Sequence, residues 1–276
     1  MKKIVLGFIA FGLLTLTGCE KDDDTDTTEK TETSDGDGRT DSDKGDDITD
    51  TSSDEGTDSD EETIKDEITD EDGNVYGSVT IGTQIWMSEN LKTSKYSDGT
   101  SIPNVTDGVE WGELETGAWC HYENNSDYND THGKLYNFYA VETQKLCPTG
   151  WHVPTHDEWT VLSDYLSANG HSGKEGKALK SVSGWHDKED GTSGNGTDNY
   201  GWNGLPRGHR ASMTFSDDDL SFEFDAADSA SIWWSSSSDD SENPWQYILM
   251  HDSDSLIGSS FFSLMEEGLY IRCLKD

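Results

Sequence analysis

The sequence predicts an α+β fold with two helices and many short strands joined by long loops, preceded by a disordered acidic linker. Three observations lead to this class. All 10 Trp and all 10 Tyr lie after residue 70. Apolar residues recur at helical spacing over 133–146 and 155–170, and short apolar runs separated by Gly, Ser and Asn follow to the end. We therefore divide the chain into residues 1–18, 19–70 and 71–276.

The first 18 residues have the pattern of a secretion leader. Two lysines precede an apolar stretch at 4–16 that is too short to span a bilayer. The run from Leu16 to Cys19 resembles the bacterial lipobox, in which the leader is cleaved before the Cys and the sulfur carries diacylglycerol. This resemblance implies that Cys19 is lipidated and attaches the chain to a membrane surface. An ordinary signal peptide with an incidental Cys is the alternative.

The run Glu20-Lys21-Asp22-Asp23-Asp24, directly after Cys19, resembles the Lys-plus-acid surface-export signal of Bacteroidota lipoproteins. The resemblance implies a cell-envelope protein that is anchored in the outer membrane and faces outward. The alternative is that these residues are only the beginning of an acidic linker.

Residues 19–70 have the composition of a disordered tether. From residue 20 to residue 70 there are 23 Asp or Glu, 5 Lys or Arg and no aromatic residue. Such a segment cannot bury enough apolar area to offset the loss of chain entropy, and its like charges extend it. The net charge of the whole chain is -38, which opposes binding to nucleic acid and docking on anionic lipid.

The globular part begins with a strand pattern. Apolar and polar residues alternate roughly over 75–81, Gly82 marks a turn, and a second apolar run follows at 84–87. Two such runs joined by a short turn predict a β-hairpin.

Two helices and a series of strands are predicted after the hairpin. An apolar stripe over 133–146 ends before Pro148. Thr155 and Glu158 have the spacing of a capping box, and Gly170 closes the second helix. Short strands are predicted at 211–215, 221–224, 231–235, 245–251, 256–263 and 268–274.

Four short stretches of sequence, which we call islands, occur in a characteristic order and spacing. None of them is specific alone, but the ordered set of four is. They are 72–76 with 85–91, 133–137 with 147–155 and 158–159, 205–210 with 233–236, and 271–276. Together they resemble the Fibrobacter succinogenes major paralogous domain, which occurs in secreted and lipid-anchored bacterial proteins. The resemblance covers nearly all of 71–276.

A second, weaker resemblance concerns topology. The Gly-Trp-His-Val-Pro-Thr run at 150–155 and the ending around Arg272 resemble the formylglycine-generating, sulfatase-modifying family. That family has a C-type-lectin-like fold, so the resemblance implies a lectin-like arrangement for 71–276. It also raises an alternative function, a thiol-modifying enzyme that acts through Cys120 or Cys147.

Three cysteines remain after Cys19. Cys147 and Cys273 both lie in islands that match the paralogous family, and the resemblance implies a disulfide between them. Cys120 would then be a free thiol, which we interpret as a buried packing residue.

Glu123, Asp127 and Asp130 belong to a run of eight residues rich in carboxylates and amides. Calcium takes six to eight oxygen ligands from loops of this kind, so these three residues are the candidate metal ligands. The run lacks the spacing of an EF-hand, and a solvated polar turn is the alternative. We expect no cofactor other than calcium.

Trp202, Trp234 and Trp245 lie in or beside loops rich in Gly, Ser and Asn. Ring faces can stack on the C–H groups of a sugar while polar neighbours bind its hydroxyls, so these three residues are the candidate ligand contacts. Core packing is the alternative, because Trp is highly buried on average. Trp233 and Trp234 point to opposite faces of a predicted strand, and we expect at most one of them in the core.

Motifs for catalysis are absent from the sequence. It contains no Ser nucleophile elbow, phosphate loop, dinucleotide fingerprint or zinc-protease motif. We therefore predict a non-enzymatic, lipid-anchored binding module for an extracellular glycan or protein, which contacts the membrane through its N-terminal lipid. The alternatives are the thiol-modifying enzyme and a purely structural surface domain.

Overall fold

The computed structural model describes residues 67–276, apart from 217–218, 240–241 and 262. The predicted leader at 1–18, the predicted lipidation site Cys19 and nearly all of the predicted linker at 19–70 lie outside the described residues. Within the described part, no helix has both the length and the apolar character needed to cross a membrane.

The described residues form few helices and many short strands, so the predicted α+β class is confirmed. Strands β1 to β7 are Ile68–Thr69, Val75–Tyr76, Ser78–Ile81, Gln84–Met87, Trp119–Cys120, Leu135–Tyr136 and Trp151–His152. Strands β8 to β13 are Arg207–Ser216, Asp219–Ala227, Ala230–Ser238, Pro244–Met250, Ile257–Ser259 and Leu274–Lys275. Helices α1 to α5 are Gly108–Gly112, Asn129–His132, Phe138–Glu142, His156–Leu166 and Glu175–Leu179.

Helix α4 has the N-terminus that the sequence predicts. The Glu158 backbone N–H donates to Thr155 Oγ1 at 3.3 Å, and the Thr155 N–H donates to Glu158 Oε2 at 2.8 Å. The predicted capping box is therefore confirmed. The helix passes into a π-helical turn at Ser167–His171, where Gly170 takes a φ of +94° that favours glycine.

The predicted helix over 133–146 is wrong in its extent. Residues 135–136 form β6, which pairs with β5, and only Phe138–Glu142 is helical. The reason is Asn137, whose side-chain oxygen accepts a hydrogen bond from the Ala140 N–H at 3.2 Å and so starts the helix late. The same stripe of apolar residues therefore forms first strand β6 and then the short helix α3.

The domain begins a few residues before the predicted boundary at residue 71. Strand β1 pairs with β2, and Ile68 is buried in the core. The Asp70 carboxylate accepts hydrogen bonds from the Tyr76 hydroxyl at 2.6 Å and from the Asn74 N–H at 3.0 Å. These contacts make the end of the predicted linker part of the fold.

The two ends of the domain meet in one sheet, ordered β3-β4-β13-β7. Strands β3 and β4 form the predicted hairpin, and the last strand, β13, lies between β4 and β7. The predicted disulfide between Cys147 and Cys273 is confirmed, with Cα atoms 6.0 Å apart. It joins the segment before β7 to the segment before β13.

The larger sheet has five strands in the order β12-β11-β10-β8-β9. Strand β10 carries Trp233 and Trp234, which belong to two different apolar clusters. Both rings are fully buried, so the prediction that at most one is core is wrong. Alternation does place them on opposite faces, but both faces of this strand are covered.

Candidate functional site

Two of the three predicted ligand-binding tryptophans are buried. Trp202 and Trp234 both have 0% of their surface exposed, so they cannot stack on a ligand and this prediction is wrong for them. Trp202 lies edge-on to Trp233 with ring centroids 5.0 Å apart, and the Trp234 indole N–H donates to the Tyr136 carbonyl at 2.8 Å. The third, Trp245, is half-buried and stacks on His156 at 3.9 Å, and its role stays a prediction.

The predicted calcium ligands Glu123, Asp127 and Asp130 are exposed. The structure does not gather them into a site, because the described residues include no group of three or more His, Cys, Asp or Glu placed to share a metal ion. The Asn125 side chain instead accepts from the Asp127 N–H at 3.0 Å, as in an ordinary polar turn. The prediction that these three residues form a calcium site is therefore wrong, and the alternative, a solvated polar turn, describes the segment.

The two candidate thiols of the enzyme hypothesis are both unsuited to act as nucleophiles. Cys147 is in the disulfide, and Cys120 is free but has no exposed surface. Burial raises the pKa of Cys120 to about 12, and the neighbouring Arg210 charge lowers it by less. A thiol with this pKa is protonated at neutral pH and is a poor nucleophile.

An open depression of about 430 Å³ lies between the segment after β4 and helix α3. We call it the tyrosine groove. Its lining residues are Tyr96, Pro103, Glu115, Thr116, Gly117, Tyr139, Glu142 and Thr143. Both tyrosines are half-buried, and both glutamates are exposed. The groove thus combines two aromatic rings with hydroxyl and carboxylate oxygens.

One buried side chain holds the two walls of the tyrosine groove together. Asn137 accepts from the backbone N–H groups of Ala118 at 2.9 Å and Ala140 at 3.2 Å. Its amide nitrogen donates to the Thr116 carbonyl at 2.8 Å. These bonds join the start of α3, which carries Tyr139, to the 116–118 segment. The spacing of the walls is therefore set by the fold and not by a mobile loop.

Gly117 allows the tyrosine groove to close at its base. A Cβ atom at this position would collide with the Tyr96 hydroxyl oxygen and lie 2.9 Å from the Ala140 Cα. Real Cβ atoms do not approach backbone carbon that closely, since interiors pack at van der Waals separations. Only glycine therefore lets the Tyr96 hydroxyl lie against helix α3.

The tyrosine groove has a negative electrostatic character. Burial, and then the charge of Glu266, raise the pKa of Tyr139 to about 12, so its hydroxyl is neutral at physiological pH. That hydroxyl donates to Glu266 Oε1 at 3.2 Å. With Glu115 and Glu142 on its lining, the groove favours a neutral or cationic ligand over an anionic one.

A second, smaller cleft of about 180 Å³ contains two arginines. We call it the arginine cleft. Its lining residues are Ser88, Glu89, Asn90, Lys92, Asp130, Thr131, His132, Gly133, Asn203, Leu205, Arg207 and Arg272. It brings together four segments that are far apart in sequence, and the exposed Asp130 is one of its lining residues.

Comparison with known proteins identifies the family. The family described as Fibrobacter succinogenes major domain matches residues 79–275, which is well over half of the chain. The chain belongs to this family. No curated protein and no solved structure gave a match.

The match covers the sequence islands that predicted it, apart from 72–76 and the last residue, 276. The Fibrobacter succinogenes major domain of this chain runs from strand β3 to strand β13, and the matched range includes both partners of the disulfide. It also includes every residue that lines the tyrosine groove and the arginine cleft.

The tyrosine groove could not be found from local sequence. Tyr139 lies within the apolar stripe that predicted a long helix, and that pattern favours burial for it. Tyr96 is 43 residues away, as counted along the sequence, and no motif connects the two. A glycine such as Gly117 can indicate that another segment packs closely against the backbone, but it does not identify that segment.

Proposed function

We propose that this chain is a lipid-anchored protein of the cell envelope whose domain is a non-catalytic binding module for an extracellular glycan. The tyrosine groove is the observation that carries the proposal. Its volume of about 430 Å³ is in the range of small-ligand pockets, roughly 300–1,000 Å³.

The side chains of the groove suit a sugar. Sugars offer C–H faces and hydroxyl groups. The faces of Tyr96 and Tyr139 are electron-rich and attract C–H groups, while the Glu115 and Glu142 carboxylates can accept hydrogen bonds from hydroxyls. The hydrogen bonds of Asn137 fix the two walls of the groove before a ligand binds. Binding therefore costs little conformational entropy of the protein.

The chemistry of the cysteines argues against the thiol-modifying enzyme as the function. Such an enzyme needs an accessible thiolate, whereas Cys120 is buried and Cys147 is bonded to Cys273. The open groove, which is lined by two tyrosines and two carboxylates, supports a binding function over a purely structural one.

The anchor and the topology belong to the same proposal. Lipidation of Cys19 would hold the domain at the outer membrane, facing outward, on the acidic linker. A C-type-lectin-like arrangement is supported by the α+β architecture and by the 150–155 island. Labelling cells with a fatty-acid analogue tests the anchor: label on the chain that Cys19→Ala abolishes is expected, and an unlabelled chain contradicts it.

A glycan array probed with the full chain tests the binding function. We expect a small set of neutral glycans to bind the wild type, and Tyr139→Ala to weaken them at least 10-fold. Tyr200→Ala is the matched control, because Tyr200 is also half-buried but lies outside the groove. Silence of the array, or equal losses in both variants, would contradict the proposal.

A further inference from the structure

Arg207 presents hydrogen-bond donors that nothing in the described structure satisfies. Its guanidinium donates to no described residue, and its Nε atom is buried without a partner. The backbone of Arg207 is nevertheless held firmly, since its N–H donates to Ser231 Oγ at 2.6 Å and its carbonyl accepts from the Tyr270 hydroxyl at 2.8 Å. A buried donor without an acceptor is unfavourable, so the side chain has capacity for an acceptor oxygen.

Arg272 contributes a second guanidinium to the same cleft. It is 2% exposed and bonds only neutral acceptors, the Asn90 side-chain oxygen at 2.9 Å and the Trp202 carbonyl. No carboxylate of the described residues forms an ion pair with it. Glu89 and Asp198 attract this charge only from beyond ion-pair distance. The surroundings are of low dielectric, where charges act over longer distances than in water.

The other charged groups around the cleft form no ion pair with the two arginines, although Asp228 attracts the charge of Arg207 from a distance. Glu89 forms its ion pair with Lys92, at 2.8 Å, and not with an arginine. Burial, and then the charge of Arg207, lower the pKa of His132 to about 4, so this imidazole is neutral at physiological pH. Asp130 is exposed at the rim and is screened by solvent.

The composition of the domain makes this arrangement unusual. From residue 71 onward the chain has 34 acidic and only 12 basic residues. Carboxylates are therefore abundant, yet neither arginine of this cleft forms an ion pair with a carboxylate of the described residues. An anion from outside the chain would supply the missing acceptor.

We propose that the arginine cleft binds a small oxyanion through the guanidinium of Arg207, with the buried Arg272 adding positive potential. The planar fork of a guanidinium matches the paired oxygens of a carboxylate, sulfate or phosphate. A cleft of about 180 Å³ accommodates such a group and little more. This site is separate from the tyrosine groove and goes beyond the proposed function, because the two share no lining residue.

Calorimetric titration of the full chain with sodium acetate, galacturonate, sulfate and phosphate, at constant ionic strength, tests the proposal. Saturable binding of at least one anion is expected. Preference for acetate and galacturonate would assign a carboxylate ligand, and preference for sulfate and phosphate would assign a tetrahedral one. Failure of all four anions to bind saturably would overturn the proposal.

Substitutions test whether the anion binds in the arginine cleft. Arg207→Gln should weaken it at least 10-fold, whereas Lys174→Gln, which removes an equal charge from an exposed position outside the cleft, should change it less than twofold. Asn203→Asp adds a negative charge at an exposed lining position and should weaken binding even if Arg207→Gln does not fold. If Arg207→Gln and Lys174→Gln weakened anion binding equally, the binding would depend only on the overall charge of the protein, and the proposal would be overturned. Tyr139→Ala should leave anion binding unchanged, so the two proposals can fail separately.

Discussion

The side-chain oxygen of Asn90 accepts two hydrogen bonds from the guanidinium of Arg272, at 2.9 and 3.3 Å, between positions separated by 182 residues. The same oxygen accepts from the Trp233 indole N–H at 2.8 Å. One carboxamide thus connects the segment after β4, the central strand β10 and the segment before β13. Arg272 also lies 4.1 Å from the Trp202 ring, which places its charge over an aromatic face.

Asn90→Ala should be among the more destabilising single substitutions in this domain. It leaves three buried donors without an acceptor, one on an indole and two on a charged group, and each such donor costs about 1–3 kcal/mol. We expect a loss of at least about 3 kcal/mol in the free energy of unfolding, measured by urea denaturation. Asn104→Ala, at an exposed position, should change it by less than about 0.5 kcal/mol. Similar values for both variants would contradict this role of Asn90.

Reduction of the disulfide should destabilise the domain strongly. Cys147 and Cys273 close a loop with a sequence separation of 126, and on a chain-entropy basis such a cross-link contributes about 4–5 kcal/mol. Urea denaturation of the oxidised and reduced full chain measures the difference. Peptide mapping by mass spectrometry should find the Cys147–Cys273 peptide pair and an unmodified Cys120. A difference below about 1 kcal/mol would mean that the reduced unfolded chain is already constrained.

His152 should make the stability depend on pH. Burial disfavours its protonated form, but hydrogen bonds to Asp276 at 2.6 Å and Glu158 at 2.9 Å outweigh burial and raise its pKa. A group whose pKa is raised by folding stabilises the folded state below its unfolded pKa, about 6.5 for His. That contribution is lost as the pH rises through the folded pKa.

The test of this pH dependence is the substitution His152→Gln. It should lower the free energy of unfolding more at about pH 5.5 than at about pH 9, the two sides of the titration. Asp276→Asn should act in the same direction, since it removes one of the two acceptors. Denaturant titrations at both pH values measure the differences, and an equal loss at both would contradict the assigned role of the carboxylates.

Gly117→Ala should disturb the tyrosine groove from its base. The added methyl collides with the Tyr96 hydroxyl and presses on the Ala140 backbone, and overpacking of this kind typically costs about 1–3 kcal/mol. Tyr96→Phe removes the oxygen that is struck first. In a double-mutant cycle, the loss in the free energy of unfolding of the double variant should therefore be smaller than the sum of the two single losses, by about 0.5 kcal/mol or more. Strict additivity would contradict the contact between the Tyr96 hydroxyl and position 117.

Local patterns in the sequence predicted the features that depend on neighbouring residues. The capping box of Thr155 and Glu158 is one case, because two residues three positions apart and the hydrogen bonds between them define it completely. The hairpin closed at Gly82 is another. The disulfide came from the family resemblance, since spacing alone does not choose a partner for Cys147.

The features that depend on tertiary packing could not be predicted in the same way. The alternation of Trp233 and Trp234 is visible in the sequence, but the cover over both faces of β10 is supplied by distant segments. For the same reason the sequence suggested a loop position for Trp202, although its ring contacts both Trp233 and Arg272. The carboxylates at 123–130 lie close in sequence, yet their backbone does not turn them toward a common point.

The central claim, that the tyrosine groove holds the glycan, is tested most directly by NMR titration of the full chain with a glycan that binds on the array. We expect the largest amide shifts on Thr116, Gly117 and Thr143, with smaller shifts elsewhere. Largest shifts around Trp245, or around Arg207 in the arginine cleft, with the groove amides unmoved, would contradict it.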